Sequence, residues 1–466
     1  MYLHYQYVPE PSTLLQGVRK LPAAHTLLLS HDDWNAEPVR YWDVRSAETP
    51  EYASAQPRDI PDIIRARLEE SVALTLRSDV PVGLALSGGI DSGAIAAFAR
   101  RHTADQFHAF GIGYPGRPPY DEREQAKGLA HKLGITFHEV ELKVDDFVAF
   151  LPTLVSIMDE PIADIAAFGH YAVPRAAAEH GIKVLLSGTG GDEVFWGYPW
   201  VVRSIEINEF LLRHPFVSRL RHLPKGLWRY EPLWKVCSHS RLLNAYSTIL
   251  REISVIDMRK PPEQLFFYEM VKDFVNARSL RTRVYGPAMR DISADNVFLP
   301  TALTALSEAD IPATTLRLLF DTYLTSNCIA LGDRVSMGCG VEVRLPFLDA
   351  RLIESVMALR RRHPDHQRGH KAWLRAALKE VLPDEVLTRP KSGFQPPIMA
   401  WLDGARERYG ALLREGLLVN SGILDMSRLE SFLKESGPND PPKQFFLYKL
   451  ILLEIWYRSV VRRERF

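Results

Sequence analysis

The pattern of apolar and polar positions divides the 466-residue chain into three parts. Residues 1–55 are rich in turn formers, and they hold only short β-prone pieces at 27–29 and 39–42, which predicts a short arm of strands and loops. From Pro61 to about Ser78 apolar residues recur at every fourth position, which predicts a helix.

Between residues 80 and 200, short apolar runs alternate with helical patterns. The predicted strands are 82–86, 107–112, 135–142 and 183–186. The predicted helices are 92–102, 122–133, 147–158 and 168–180. Strands separated by helices of this length need right-handed crossovers, so the pattern predicts an α/β fold with a parallel, twisted sheet flanked by helices on both faces. Ligands of such sheets bind at the carboxyl ends of the strands.

Beyond Tyr198 the strand signal fades and helical patterns dominate, for example at 316–329 and 371–381. We therefore expect a mostly α C-terminal region. The predicted division is a β arm over 1–55, an α/β core over 56–200 and a helical continuation over 201–466.

Composition narrows the function classes. Lys and Arg total 57, as do Asp and Glu, so the net charge is zero and a dedicated nucleic-acid or acidic-membrane binder is disfavoured. Cys237, Cys328 and Cys339 are too far apart for a disulfide framework or a cysteine zinc site. No apolar run approaches the roughly 18 residues of a membrane span, and the start has no signal-peptide features. We expect a cytoplasmic protein without a nucleic-acid or membrane partner.

The run LSGGIDS at 86–92 lies where a predicted strand turns into a helix. Gly88 and Gly89 let the backbone approach an oxyanion, the N–H groups of the helix start point at it, and Ser87 and Ser92 add hydroxyl donors. The run has no lysine and lacks the Gly-x-Gly-x-x-Gly spacing, so it is neither a Walker A loop nor a dinucleotide fingerprint. It predicts a phosphate-binding loop of another kind.

Three further motifs stand in order along the chain: SGTGGDEVFWGY at 187–198, DRVSM at 333–337 followed by EVRLPFLD at 342–349, and KAWLR at 371–375 leading to RPKSGF at 389–394. The loop resembles that of the N-type ATP pyrophosphatases. All four motifs together resemble the synthetase half of glutamine-dependent asparagine synthetases, with β-lactam synthetases and lasso-peptide cyclases as relatives. The resemblance runs from about residue 7 to the end and implies a fold of the adenine nucleotide α-hydrolase type.

This resemblance implies an activity: aspartate is adenylated on its side-chain carboxylate by ATP over Mg²⁺, and ammonia attacks to give asparagine, AMP and pyrophosphate. It places Mg²⁺ on Asp91 and Asp192, and it implies catalysis by Lys391, Asp192 and Arg334. The resemblance implies that ATP is bound by Leu86, Ser87, Gly88, Gly89, Asp91, Ser92, Ile112, Ser187 and Gly188.

Several of these residues keep a structural alternative. Asp91 and Asp192 could be helix caps, Ile112 a buried strand residue and Lys391 a solvated loop lysine. Arg334 and Arg344 could form structural ion pairs.

Three other groups also have two interpretations. The basic segment 360–371 is either a solvated helix end or a phosphate contact, and the acidic turn 159–164 is either a capped helix start or a contact to the amine or nucleotide. The histidines show no metal spacing and are expected at the surface or in the core; they are His102, His108, His131, His138 and His170.

The sequence departs from the resembling family at two places. Thr189 stands where some asparagine synthetases have a glutamate, and a hydroxyl cannot serve as the base. No cysteine precedes Cys237, so we expect no glutaminase nucleophile; residues 1–55 resemble only the last strands of a glutaminase domain and its linker. Ammonia then comes from solution or a separate glutaminase chain, or the acceptor is another amine, or the protein is longer than this chain.

Three other functions stay open beside the amidoligase. A natural-product cyclase of the β-lactam or lasso-peptide type would use an amine acceptor. A tRNA sulfur transferase is disfavoured by the zero net charge and by the spacing of Cys328 and Cys339, and a pseudoenzyme by the intact loop. The carboxylate substrate and the oligomeric state, with a homodimer as one option, are not fixed by the sequence.

Overall fold

The computed structural model describes residues 1–45, 52, 54–103, 106–214, 265–267, 271–289, 306–390, 396–435 and 440–464. Two residues that the sequence analysis singles out, Cys237 and Lys391, lie outside the described residues. None of the helices within these ranges is long and apolar enough to cross a membrane.

The strands are β1 (His25–Thr26), β2 (Val39–Arg40), β3 (Val82–Ala85), β4 (His108–Gly113), β5 (Thr136–Glu141), β6 (Val184–Leu186) and β7 (Glu342–Arg344). Five of them form a parallel sheet in the order β5-β4-β3-β6-β7, and β1 pairs with β2 as a separate antiparallel ribbon. The predicted parallel sheet flanked by helices is confirmed. The predicted run 27–29 does not belong to the ribbon, and Leu28 is exposed.

The helices of the first half are α1 (Tyr2–Tyr5), α2 (Ile60–Thr75), α3 (Ile90–His102), α4 (Arg123–Lys132), α5 (Val144–Ile157), α6 (Ala167–Glu179), α7 (Gly191–Val194) and α8 (Pro199–Arg213). Each helix between β3 and β6 corresponds to a predicted helix, and its ends differ from the predicted ends by at most three residues. The strands and helices alternate here as the apolar pattern predicts.

The second half is mostly helical. Its α-helices are α9 (Lys272–Arg281), α10 (Asp310–Leu318), α11 (Ala330–Met337), α12 (Ala350–Arg362), α13 (Ala372–Ala377), α14 (Asp384–Leu387), α15 (Ile398–Tyr409), α16 (Leu417–Asn420), α17 (Met426–Glu435) and α18 (Pro441–Trp456). Short 3₁₀ turns occur at Pro287–Met289, Pro346–Leu348, His366–Arg368 and Gly410–Leu413, and π-helical segments at Leu319–Ile329 and Tyr457–Val461.

Strand β7 is the element that the sequence pattern misses. It consists of Glu342, Val343 and Arg344, and it pairs with β6 at the edge of the sheet. A short edge strand with charged ends carries no continuous apolar run, and such charge discourages pairing with other chains. The described residues beyond Tyr198 therefore include a short strand that the pattern does not show, within a region that is mostly helical as expected.

Helix ends in the second half also differ from the pattern. The predicted helix 316–329 is divided between α10 and the π-helix Leu319–Ile329, and the predicted helix 371–381 shortens to α13. In the first half, helix α2 ends at Thr75 rather than near Ser78, and the Arg344 guanidinium donates there to the carbonyls of Thr75 and Arg77, both at 2.8 Å.

One hydrophobic core runs through the described residues, from Tyr2 and Tyr5 in α1 to Trp456 at the end of α18. A smaller cluster around Phe110, Val173 and Leu185 fills the space between α6 and the sheet. The arm packs into the main core at its first residues, whereas the division into three parts stays a prediction.

Candidate active site

A cavity of about 650 Å³ opens at the carboxyl edge of the parallel sheet. It lies where β3 and β6 are neighbours in the sheet although their chain positions are far apart. Strands β4 and β5 extend from β3 on one side and β7 extends from β6 on the other, so this is the point at which the strand order reverses. Such a switch point is the usual ligand site of an open α/β sheet.

The first glycine loop, residues 86–92, is held by its own serines. The Ser92 hydroxyl accepts from the Ser87 N–H at 3.1 Å, and the two hydroxyls are 3.0 Å apart. Gly88 has a φ of +73°, and a Cβ there would lie 2.9 Å from the Ala126 backbone nitrogen. Only glycine fits this close turn against α4. The Arg389 guanidinium donates to the Gly88 carbonyl at 2.9 Å and so brings a cation to the loop.

The second glycine loop, residues 187–198, follows β6. The buried Glu193 carboxyl accepts from the Gly190 N–H at 3.0 Å and from the Tyr198 hydroxyl at 2.9 Å. Burial, with the neighbouring Asp192 charge, raises the pKa of Glu193 above its ordinary value. Glu193 therefore holds the loop in shape around Asp192.

The two loops touch each other through glycine. A Cβ on Gly191 would lie 2.5 Å from Asp91 Oδ1, and a Cβ on Gly188 would lie 3.1 Å from the Ser92 nitrogen. The missing side chains let Asp91 of the first loop lie against the second loop. The two carboxylates Asp91 and Asp192 consequently converge.

Lys371 joins these carboxylates. Its ammonium forms ion pairs with Asp91 and with Asp192, the latter at 2.5 Å, and its side chain is 6% exposed. Burial works to lower the pKa of Lys371, but the charges of Asp91 and Asp192 outweigh it and the pKa is raised. Lys371 has a left-handed backbone with φ 53°, and its N–H donates to the Phe195 carbonyl at 3.1 Å.

The basic segment before Lys371 supports the second loop from behind. The buried Arg360 pairs with Asp365 at 2.7 Å, donates to the Val194 carbonyl at 2.9 Å and stacks on Trp196, 4.2 Å from the ring centre. For Arg360 the prediction of a solvated helix end is wrong, and the side chain contacts the protein rather than the cavity.

A second wall of the cavity comes from α6 and the π-helix. It presents Asp164, His170, Tyr323 and Cys328. Asp164 accepts from the Ala166 N–H at 3.0 Å in the turn before α6, which has no side-chain cap, and it also lines the cavity. Burial raises the pKa of the Cys328 thiol well above its ordinary range.

The structure brings most of the predicted site residues to this one cavity. Those that line it are Leu86, Ser87, Gly89, Asp91, Ser92, Ile112, Ser187, Gly188 and Asp192. Gly88 forms the turn of the same loop. Their roles stay predictions, as does that of Lys391.

Arg334 is not among the residues that line the cavity. Its guanidinium donates to the Met158 carbonyl at 2.6 Å, and that of Arg344 caps α2. These contacts favour the structural alternative for both arginines, and a catalytic role for Arg334 stays an untested prediction.

Lys371 and His170 line the cavity although no motif predicts either of them as a site residue. In the sequence, Lys371 appears as the first residue of a motif and as the last residue of the basic segment 360–371, for which a phosphate contact is one alternative. His170 appears among the histidines expected at the surface or in the core. The sequence does contain one signal for Lys371, since this lysine stands at the start of a short helix rich in apolar residues. A lysine that is buried beside such a helix needs a charged partner.

Comparisons with known proteins agree with the motifs. The model of the family described as "Asparagine synthase" matches residues 63–458. "Putative asparagine synthetase (glutamine-hydrolyzing)" of Mycobacterium tuberculosis is 31% identical over 99% of this chain and 67% of that protein. "Asparagine synthetase (glutamine-hydrolyzing) 1" of Bacillus subtilis is 26% identical over 86% of this chain and 59% of that protein.

A further relative carries a different name. "Amidase chyE" of Penicillium rubens is 25% identical over 93% of this chain and 66% of that protein. The chain thus spans about two thirds, or somewhat less, of the length of these relatives.

Proposed function

The chain belongs to the asparagine synthase family, which makes it a ligase that forms carbon–nitrogen bonds, and from this premise we propose that it makes asparagine. Aspartate would be adenylated on its side-chain carboxylate by ATP, and ammonia would displace AMP. The observation that carries the proposal is the convergence of Asp91, Asp192 and Lys371 between two glycine loops.

The first loop suits the phosphates of ATP. Gly89 precedes the first turn of α3 with an extended backbone, so the N–H groups of that turn are available to an anion. Arg389 and Lys371 add positive charge at the same place. Leu86 and Ile112 at the ends of β3 and β4 would contact the adenine.

The carboxylates suit Mg²⁺ as a second partner of the phosphates. Asp91 and Asp192 already meet at one cation, the Lys371 ammonium, so the chemistry and position of the donor set fit a divalent ion. Mg²⁺ is commonly held by one or two carboxylates together with substrate phosphates. When bound, the ion would neutralise charge on the pyrophosphate that leaves.

Lys371 would neutralise the remaining charge. Adenylation brings a carboxylate against the α-phosphorus, and the leaving pyrophosphate gains negative charge. A fully charged lysine beside the metal carboxylates can stabilise that charge, and the raised pKa of Lys371 keeps it charged at neutral pH. Lys391, by its resemblance to the family lysine, would act at the same stage.

Pyrophosphate release tests the proposal. The protein is incubated with ATP, Mg²⁺ and ammonium chloride, with and without aspartate, beside Asp91→Asn and the exposed matched control Asp146→Asn. We expect aspartate-dependent release that Asp91→Asn loses and Asp146→Asn keeps. Release that is independent of aspartate at every ammonium level would contradict the aspartate assignment.

A natural-product cyclase or amide-forming enzyme is the second candidate. Thr189, which hydrogen-bonds to the Ser187 hydroxyl at 3.1 Å, supports it because some asparagine synthetases have a glutamate here. The relative named amidase chyE also favours a different acceptor or substrate. A panel of carboxylates assayed for ATP–pyrophosphate exchange, followed by a panel of amines, separates the two candidates.

A further inference from the structure

The cavity has walls of different charge. Among the described residues its lysine and arginine side chains are Lys371, Arg375 and Arg389, which all come from the segment that includes α13 and α14. The wall built by α6 and the π-helix presents the carboxylate of Asp164 and the imidazole of His170 instead. Asp91 and Asp192 pair with Lys371 on the side of the phosphate-binding loop, and Asp164 adds a separate carboxylate on another wall. This arrangement suits a reaction in which a polyphosphate and an amine meet.

Asp164 is held in place from behind by a buried amide. Asn327, which has no exposed surface, donates to Asp164 Oδ2 at 2.6 Å. Its own Oδ1 is buried and accepts no hydrogen bond from the described residues. The Ala166 N–H holds the other carboxylate oxygen at 3.0 Å. These contacts fix the carboxylate while each oxygen keeps a lone pair for a further donor.

The backbone around Asn327 is a second, independent observation. Leu319–Ile329 is π-helical over 11 residues, and it brings Tyr323 and Cys328 to the same wall. π-Helical turns are rare and are found mostly at functional sites. Two residues of this irregular segment therefore line the cavity, while six of its other residues are buried.

His170 lies beside this carboxylate. Its side chain is exposed, lines the cavity and makes no hydrogen bond to another described residue. Desolvation lowers the pKa of His170, and the charge of Asp164 opposes this. The ring is thus uncharged at neutral pH and can accept a proton. Tyr323 and Cys328 are the other titratable groups described on this wall, and Glu193 and Tyr198 also line the cavity.

We propose that this wall is the subsite of the acceptor amine, where Asp164 pairs with the ammonium form and His170 takes its proton. The inference rests on the proposed adenylation. One proton passes from the ammonium nitrogen to the imidazole, and the freed lone pair forms the C–N bond at the acyl carbon. The C–O bond to AMP breaks with its electrons on the phosphate oxygen. The second excess proton leaves the nitrogen for water.

The proposed role of His170 explains how the reaction proceeds although residue 189 is a threonine. A threonine hydroxyl cannot accept a proton at neutral pH, and Thr189 is already hydrogen-bonded to Ser187. An imidazole in the same cavity can supply the missing base, because histidine is the side chain that most often accepts a proton in catalysis.

The experiment separates activation from amide formation. Aspartate-dependent ATP–pyrophosphate exchange reports the first step without an amine. Asparagine formation from ammonium chloride reports both steps. Hydroxylamine, which is largely uncharged at neutral pH, forms the hydroxamate without needing a base to deprotonate it. The variants are His170→Gln and Asp164→Asn, and the matched controls are His131→Gln and Asp146→Asn, both exposed outside the cavity.

We expect His170→Gln to keep exchange and hydroxamate formation but to lower asparagine formation about 100-fold. Asp164→Asn should keep exchange and raise the KM for ammonium on the order of tenfold. If exchange is normal but asparagine formation is unchanged in both variants, the amine subsite is overturned and adenylation stands. If exchange falls together with asparagine formation, these residues serve nucleotide binding and the subsite is likewise overturned. No exchange in the unmodified protein would overturn both proposals.

Discussion

Two buried lysines in different regions of the molecule show opposite behaviour. Lys371, at the carboxyl edge of the sheet, pairs with two carboxylates, and its pKa is raised. Lys449, in α18 where the N-terminal arm packs, donates to the His4 carbonyl at 3.2 Å and lies 5.8 Å from the Phe274 ring centre. Burial lowers its pKa to about 8, with Asp273 opposing.

The two lysines differ in how their buried charge is compensated. At Lys371 two carboxylates keep the buried ammonium charged. The same carboxylates have the chemistry to hold a metal ion. At Lys449 the charge is only weakly compensated, and the side chain contributes mainly its alkyl packing. A buried lysine is therefore a sign of function when charged partners surround it within a cavity, and not by burial alone.

The largest expected effect comes from Lys371→Met. Loss of the cation that neutralises the leaving pyrophosphate should lower aspartate-dependent pyrophosphate release about 100-fold or more. Lys449→Met is the matched control in the other region and should release pyrophosphate at the normal rate. Equal losses of pyrophosphate release in the two variants would contradict the different roles assigned to Lys371 and Lys449.

The same variant should respond to metal alone. Without Lys371, Asp91 and Asp192 repel each other, so Mg²⁺ without ATP should raise the Tm of Lys371→Met more than that of the unmodified protein. Thermal unfolding with Mg²⁺ or with the same ionic strength of NaCl measures this. Identical responses to the two salts would speak against a metal site at these carboxylates.

A glycine substitution tests the close turn in the first loop. Gly88→Ala should cost about 1 to 3 kcal/mol in the free energy of unfolding, because of its φ of +73° and the contact with the Ala126 nitrogen. In α4, a Cβ on Gly128 meets no atom within 4 Å, so Gly128→Ala should be neutral or stabilising by about 0.5 to 1 kcal/mol. Denaturant unfolding of both variants measures the contrast, and equal stability would contradict it.

Lys449 predicts a pH dependence that Lys371 does not share. The unfolded chain keeps this proton up to about 10.5, whereas the folded protein loses it near 8. The unfolded state binds more protons between these values, so this group makes stability rise with pH by about 1 to 3 kcal/mol across the window. Unfolding at pH 7.5 and pH 10 should show this rise in the unmodified protein and a smaller one in Lys449→Met; equal rises would contradict the lowered pKa.

The smallest effect on activity is expected at Arg334. Since its guanidinium donates to the Met158 carbonyl outside the cavity, Arg334→Gln should cost about 1 to 2 kcal/mol of stability and leave pyrophosphate exchange unchanged. Unfolding and exchange measured on one preparation separate the two effects. Loss of exchange with unchanged stability would instead favour a catalytic role.

Much of the site could be predicted from the sequence where chemistry and pattern are local. Short apolar runs mark β3 and β6, and the glycines and carboxylates of both loops directly follow these two strands. The sequence could not show β7, whose glutamate and arginine hide an edge strand, or the partners of Lys371. Those partners depend on how the segment before α13 docks against two loops that are distant in the sequence.

His170 is another site residue that the sequence pattern does not identify. Its spacing carries no metal or catalytic pattern, and only the packing of α6 on the sheet brings the ring to the cavity. The meaning of Thr189 was visible in the sequence as a departure from a motif, but the residue that compensates for it was not.

Isotope transfer tests the central claim, adenylation of a carboxylate, most directly. The protein is incubated with Mg²⁺, ATP, ammonium chloride and aspartate labelled with ¹⁸O in its side-chain carboxylate, and the products are analysed by mass spectrometry. Adenylation predicts one ¹⁸O in the phosphate of AMP and none in pyrophosphate. Formation of ADP with ¹⁸O in inorganic phosphate would contradict the account.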